Sequence, residues 1–260
     1  MKGSNHLVIL PCHSIWKGGS SLGLDQDEWW LAPFQYEGQD HLCFREHIEE
    51  CVRQLKSNLN AILVLSGGRT KKEAGPISES ESYYNLLKLL AADDLELIGD
   101  RIVLEEYARD SFENVLFSLC RFNDLTESYP QYISVVGFEF KRTRFVEHHL
   151  SEALGFPKER VFYIGNAPYP GKESDHTQYF EDLDQAEKKH ALDHFKKDFY
   201  GVRHPLSTKK NGRNPFNSTH QYALSNPQLE VVLREIIKSE STMENDDLRE
   251  SISSSWYISH

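Results

Sequence analysis

The sequence predicts an α/β fold, a parallel sheet of about five strands covered by helices on both faces, with a C-terminal extension. Three observations predict it. Short, almost wholly apolar runs recur along the 260 residues, as in "HLVIL", "AILVL" and "YISVVGF". Segments with apolar residues every three or four positions separate them. Strands that are apolar on both faces, joined by helical crossovers, belong to a parallel sheet buried on both sides.

The elements follow in order. "HLVIL" (His6 to Leu10) reads as the first strand. In "CFREHIEECVRQLKSNL", Phe44, Ile48, Val52 and Leu55 form the stripe of an amphipathic helix. "AILVL" (Ala61 to Leu65) is the second strand, ending on Ser66-Gly67-Gly68. "ESESYYNLLKLLAA" is helical, with Tyr83, Leu86, Leu87 and Leu90 on one face. Arg101 to Glu105 is strand-like. "DSFENVLFSLCRFNDL" is a helix with Asp110 or Ser111 as its N-cap and Glu113 in its first turn. "YISVVGF" is a strand, "RTRFVEHHLSEALGF" a helix and "RVFYIG" the fifth strand. A polar helix is expected from Tyr179 to Phe195, and an apolar-periodic one from Gln228 to Ile237. One domain is expected over residues 1–238, its core at 6–165 and its extension at 166–238. Residues 239–260, rich in Ser, Asp and Glu, read as a disordered tail.

Composition limits the function. Lys plus Arg is 29 and Asp plus Glu is 40, a net charge of −11. That disfavours a nucleic-acid partner, which needs a basic surface. No apolar run approaches the ~18 residues of a membrane span, and the N-terminus lacks signal-peptide character. A cytoplasmic protein without membrane contact is the expectation, the nucleus being the alternative. Cys12, Cys43, Cys51 and Cys120 form no C-x-x-C pair, so they read as free thiols in a reducing compartment.

Ligands of open α/β sheets bind beyond the carboxyl ends of the strands, so the strand exits carry the candidate chemistry. The first exit offers His13, an acid–base candidate near neutrality. At the second, the N–H groups of Ser66, Gly67 and Gly68 could cradle an anion or developing oxyanion charge, with Arg69 beside them. The blander reading is a tight turn. Ser78 and Glu79 follow in "SES". The third exit, "EEYARDSFEN", holds Glu105, Arg109, Ser111, Glu113 and Asn114. It suits a polar substrate at a helix N-terminus, or else an ordinary cap with Arg109 paired to Glu113. The fourth clusters Lys141, Arg142 and Arg144. They could neutralise a phosphate or carboxylate; the commoner fate of a short charge run is a solvated helix start, a reading weakened because basic residues are unfavourable at a helix N-terminus. No His-plus-acid spacing specifies a metal site. The insert "DEWWLAPFQY", with Trp29, Trp30, Phe34 and Tyr36, reads as a lid, as core or as a partner patch.

Together these blocks resemble the domain-of-unknown-function family typified by the bacterial proteins YdcF, SanA and ElyC. Its pattern runs roughly S-G-G, S-E-A, E-x-x-A-x-N-T-x-E-N and V-T-S-x-F-H-x-x-R. The resemblance covers about residues 6–165 and is best at Glu105, Ala108, Ser111, Glu113 and Asn114. Arg144 matches the family arginine, but Lys141 stands where a histidine is expected, and Gly137-Phe138 replaces Thr-Ser. The resemblance implies a Rossmann-like sheet with a pocket lined by the four blocks. It also raises S-adenosylmethionine as a ligand. The expected function is that of an enzyme, a transferase or hydrolase, acting on a small anionic or nucleotide-like molecule. Ser66, Gly67, Gly68, Arg69, Ser78, Arg109, Ser111, Asn114, His13 and the Lys141–Arg144 cluster would bind it. Glu79, Glu105 or Glu113 would act as general base, or as ligand to Mg²⁺. The alternatives are a non-catalytic binder of S-adenosylmethionine or a nucleotide, and an interaction protein using the aromatic insert.

Overall fold

A computed structural model describes residues 1–172, 175–238 and 240–252. Five parallel strands form one sheet: β1 (His6–Pro11), β2 (Ala61–Ser66), β3 (Ile102–Glu105), β4 (Tyr132–Phe138) and β5 (Val161–Asn166). Their order is β3-β2-β1-β4-β5. β1 pairs with β2 in register (Val8 opposite Leu63) and with β4 (Val8 opposite Ser134). The chain therefore winds outward from β1 in one direction and returns to its other side through β4. This is a Rossmann-like sheet, and its topological switch lies between β1 and β4.

The two faces are separate cores. Side chains alternate across each strand, so Val8, Leu10, Leu63 and Leu65 face one side and Leu7, Ile9, Ile62 and Val64 the other. The first side is covered by α1 (Asp40–Ser57) and α2 (Glu79–Leu90). A short α3 (Leu95–Ile98) leads into β3. The second side is covered by α4 (Ser111–Thr126), whose Phe112, Val115, Leu116, Phe117 and Leu119 are all fully buried. A π-helix (Arg144–Ala153) packs beside it.

The extension completes the second core. It carries α5 (His176–Glu187), α6 (Asp193–Phe195), α7 (Leu206–Gly212), α8 (Glu230–Glu235) and α9 (Asn245–Glu250). Tyr200, Val202, Tyr222, Val232, Leu233 and Ile236 join the α4 cluster. So do Leu248 and Ile252, which corrects the expected tail at 239–260 as far as residue 252. The polar composition hid two isolated apolar residues, Leu248 in α9 and Ile252 just beyond its end. Burying each such side chain is worth about 1.5–3 kcal/mol. Trp256 and Tyr257 lie outside the described residues. Within the aromatic insert, Trp29 is core, stacked edge-on to Phe44 and Tyr83. Trp30 lies under Lys17, while Phe34 and Tyr36 are exposed. All four cysteines are buried free thiols. Among the described residues no helix is long and apolar enough to cross a membrane.

Candidate functional site

The carboxyl ends of β2 and β3 are knitted into structure. The Ser66 hydroxyl donates to Glu105 Oε2 at 2.6 Å. The Gly67 N–H donates to the Glu105 carbonyl and the Gly68 N–H to the Ala108 carbonyl. The expected N–H cradle at Ser66-Gly67-Gly68 is thereby corrected, because both glycine donors are taken by backbone. The glycines serve close packing. A Cβ on Gly67 would lie 2.8 Å from Glu79 Cβ and 2.9 Å from Cys12 Cβ, and one on Gly68 would lie 2.7 Å from the Ala108 carbonyl oxygen. Gly67→Ala is expected to lower stability by about 1–3 kcal/mol, the usual cost of overpacking, read as a shifted urea midpoint.

Glu105 is fully buried and accepts from Ser66, from the Tyr107 and Ala108 N–H groups and from the Tyr222 hydroxyl. Burial pushes its carboxyl up to about 7 despite those donors. With its oxygens so occupied, Glu105 braces β3 against the extension instead of acting as the expected base.

The third block is an ionic lock. Asp110 is the N-cap of α4 and accepts the Glu113 N–H. Glu113 is fully buried and receives Arg109 Nε at 3.0 Å, Arg109 Nη2 at 2.6 Å and the Arg109 N–H at 2.8 Å. Lys210 Nζ, also buried, stands 3.3 Å from it. Burial opposes the charge, but the Lys210 ammonium and the Arg109 guanidinium outweigh it and hold Glu113 below the ordinary carboxylate range. Arg109 also donates to the Ile236 carbonyl. The roles expected of Arg109 as an anion holder and Glu113 as a base are therefore corrected: the two neutralise each other and tie α4 to the extension. Asn114 donates to the Ser66 carbonyl and hydroxyl, and Ser111 bonds His149 Nε2 at 2.8 Å.

Several other expected binders are likewise engaged. Arg69 bonds Glu106 and the Pro76 carbonyl. Ser78 caps α2 through the Glu81 N–H and bonds Glu106. Arg142 pairs with Glu139 at the surface, and Arg144 pairs with Glu187 at 3.0 Å.

Glu79, Lys141 and His13 remain available along the carboxyl edge, Glu79 against the β2 exit, His13 beyond β1 and Lys141 beyond β4. Glu79 opens α2, is nearly buried, and has no salt bridge among the described residues. Burial pushes its carboxyl up to about 7, against the Thr70 hydroxyl bonded to it and the more distant charges of Arg213, Lys71 and Lys141. Lys141 follows β4, is half-buried, and rests against the Phe138 and Phe140 rings at 4.9 and 5.4 Å. It too has no salt bridge among the described residues. Burial, and then Arg144, bring its ammonium down to about 8, while Glu187 and Asp40 oppose this. His13 is held well below its ordinary value by burial and by Lys141, and its Nε2 has no hydrogen-bond partner among the described residues.

Sequence reasoning missed two members of this group. Asp40 begins α1, and burial raises its carboxyl to about 6 against the pull of Lys141. His47 bonds Asn166 Oδ1 at 2.6 Å and is brought down to about 4, chiefly by burial. The signal was present: Asp40 and His47 stand four before and three after Phe44, polar residues on the buried stripe of a helix. Among the described residues no group of three or more His, Cys, Asp or Glu side chains is set to hold a metal ion.

No protein-family model matches the chain, and no solved structure matches it. The uncharacterised protein YOR238W of Saccharomyces cerevisiae is 37% identical across 84% of this chain and 86% of its own length. At that identity and coverage the chain belongs to the same family as yeast YOR238W.

Proposed function

We propose that the protein is an enzyme, a transferase or hydrolase, acting on a small anionic or nucleotide-like substrate at the β1/β4 switch. One observation carries this reading. At the strand exits Glu79 and Lys141 are ionisable near neutrality and lack an ion-pair partner among the described residues, whereas Arg69, Arg109, Glu113, Arg142 and Arg144 are all paired. Perturbed groups of this kind concentrate at catalytic sites. Glu79 in its carboxylate form accepts a proton from the nucleophile. Lys141 in its ammonium form neutralises the substrate anion or donates to the leaving group. The Phe138 and Phe140 rings give Lys141 a low-dielectric setting in which its charge acts strongly. The resemblance to the YdcF-type family supports the same edge of the sheet. In this chain Lys141 would take the position of the family histidine.

The test is ligand retention. Purified protein is denatured and its supernatant searched by mass spectrometry, and melting is followed with phosphate, adenine nucleotides and S-adenosylmethionine. A bound probe at a hundred times its Kd should add about 2.7 kcal/mol of stability. Lys141→Met should lose that gain while melting normally without the probe. If nothing is released and no probe raises the melting temperature, the proposal fails.

A further inference from the structure

β5 is an open edge. It pairs with β4 on one side, and no described backbone hydrogen bond reaches the other. Its sequence, "VFYIGN", contains none of the lysines or prolines that blunt exposed edges. On the α1 side of the sheet, Phe162 is 48% exposed and Ile164 half-buried. The Phe162 ring stacks on His6 at 6.0 Å and lies 6.4 Å from Tyr132, which is 40% exposed. An apolar strip thus runs beside an unused hydrogen-bonding ladder.

From this we infer that two copies of the chain pair antiparallel through β5, joining their sheets into one of ten strands. The occupant follows from symmetry and charge. A two-fold axis through Tyr163 sets Phe162 opposite Ile164 of the second copy, on the same face, an aromatic and β-branched pair that favours cross-strand contact. The same register sets Arg160 opposite Asn166 of the second copy. The Arg160 guanidinium has no ion pair or hydrogen bond among the described residues. Asn166 Nδ2 donates to Glu46 at 2.7 Å, and Glu46 also accepts from the Tyr169 hydroxyl, with no salt bridge to it among the described residues. Antiparallel pairing brings each unpaired Arg160 to the Glu46 of the other copy, twice over. A parallel partner or a foreign strand would not meet this complementarity. The ladder is short for a standard interface of about 1,600 Å², so a micromolar Kd is expected.

Sedimentation velocity over micromolar loading reads the state directly. Wild type should move from the 30.1 kDa monomer toward twice that mass as concentration rises. Phe162→Lys should stay monomeric across the same range while still melting cooperatively, compared with wild type at a concentration where both are monomers. Arg160→Glu should weaken dimerisation at least tenfold, and Arg160→Glu with Glu46→Lys should restore it. A wild type that stays monomeric throughout overturns the inference. So does a dimer that survives Phe162→Lys, since it must use another face.

Discussion

Glu113→Ala is expected to cost about 3–5 kcal/mol, because it leaves the half-buried Arg109 and the buried Lys210 without their common carboxylate. Glu113 is fully buried and Lys210 only 2% exposed, so water does not take the place of the lost carboxylate, and Lys210 is left with the longer pair to Asp110 at 3.9 Å. The comparison is Arg142→Ala, which removes a surface pair worth about 0–1 kcal/mol. Urea midpoints with a common slope check both. If the two variants lose equal stability, the lock at the start of α4 is not what the distances indicate. Glu113→Gln should fall between them, since an amide keeps an acceptor but not the charge.

The second large effect concerns Glu79 and Lys141. Once the ligand screen supplies a reactive substrate, Glu79→Gln should lower the rate about 10²–10⁴-fold, the range for loss of a general base. The pH profile gives the sharper check. Glu79 acts deprotonated, so the rate should rise as pH climbs through about 7. Lys141 acts protonated, so it should fall as pH passes about 8. The result is a narrow bell, and Lys141→Met should remove its alkaline limb. A structural role for Glu79 would lower activity without moving either limb. The linkage has a definite sign. The Glu79 carboxyl is raised in the fold, so the neutral form is favoured there. Its contribution to stability is full below the ordinary carboxylate range and is lost as pH rises through about 7. The form that would do chemistry is the form the fold tolerates least.

The sheet was legible because strand burial writes itself into composition: the apolar runs of β1, β2 and β4 are those of strands buried on both faces. The pairing of Arg109 with Glu113 was legible too, as the blander of two readings, since i, i+4 spacing places them together. What spacing could not show is where a third partner comes from. Lys210 lies in a polar stretch about a hundred residues downstream, and nothing in "STKKNG" distinguishes it from its exposed neighbour Lys209. For the same reason Ser66-Gly67-Gly68 read as a cradle. Backbone donors are visible in a sequence, but the carbonyls of Glu105 and Ala108 that take them belong to another strand exit. Asp40 and His47 were missed because a polar residue on an apolar stripe looks like noise until the helix is docked.

The lock on α4 also sets an order of events for the chain as it is made. Glu105 waits for Tyr222, Arg109 for Ile236 and Glu113 for Lys210. A ribosome that has delivered all five strands has therefore released a sheet whose α4 face still lacks Tyr200, Tyr222 and Val232 and whose buried acid has only one of its two cations. Contacts of such long sequence separation form slowly. The nascent protein should stay dependent on shielding of that face until nearly its whole length has emerged, and a fragment cut after β5 should aggregate rather than fold.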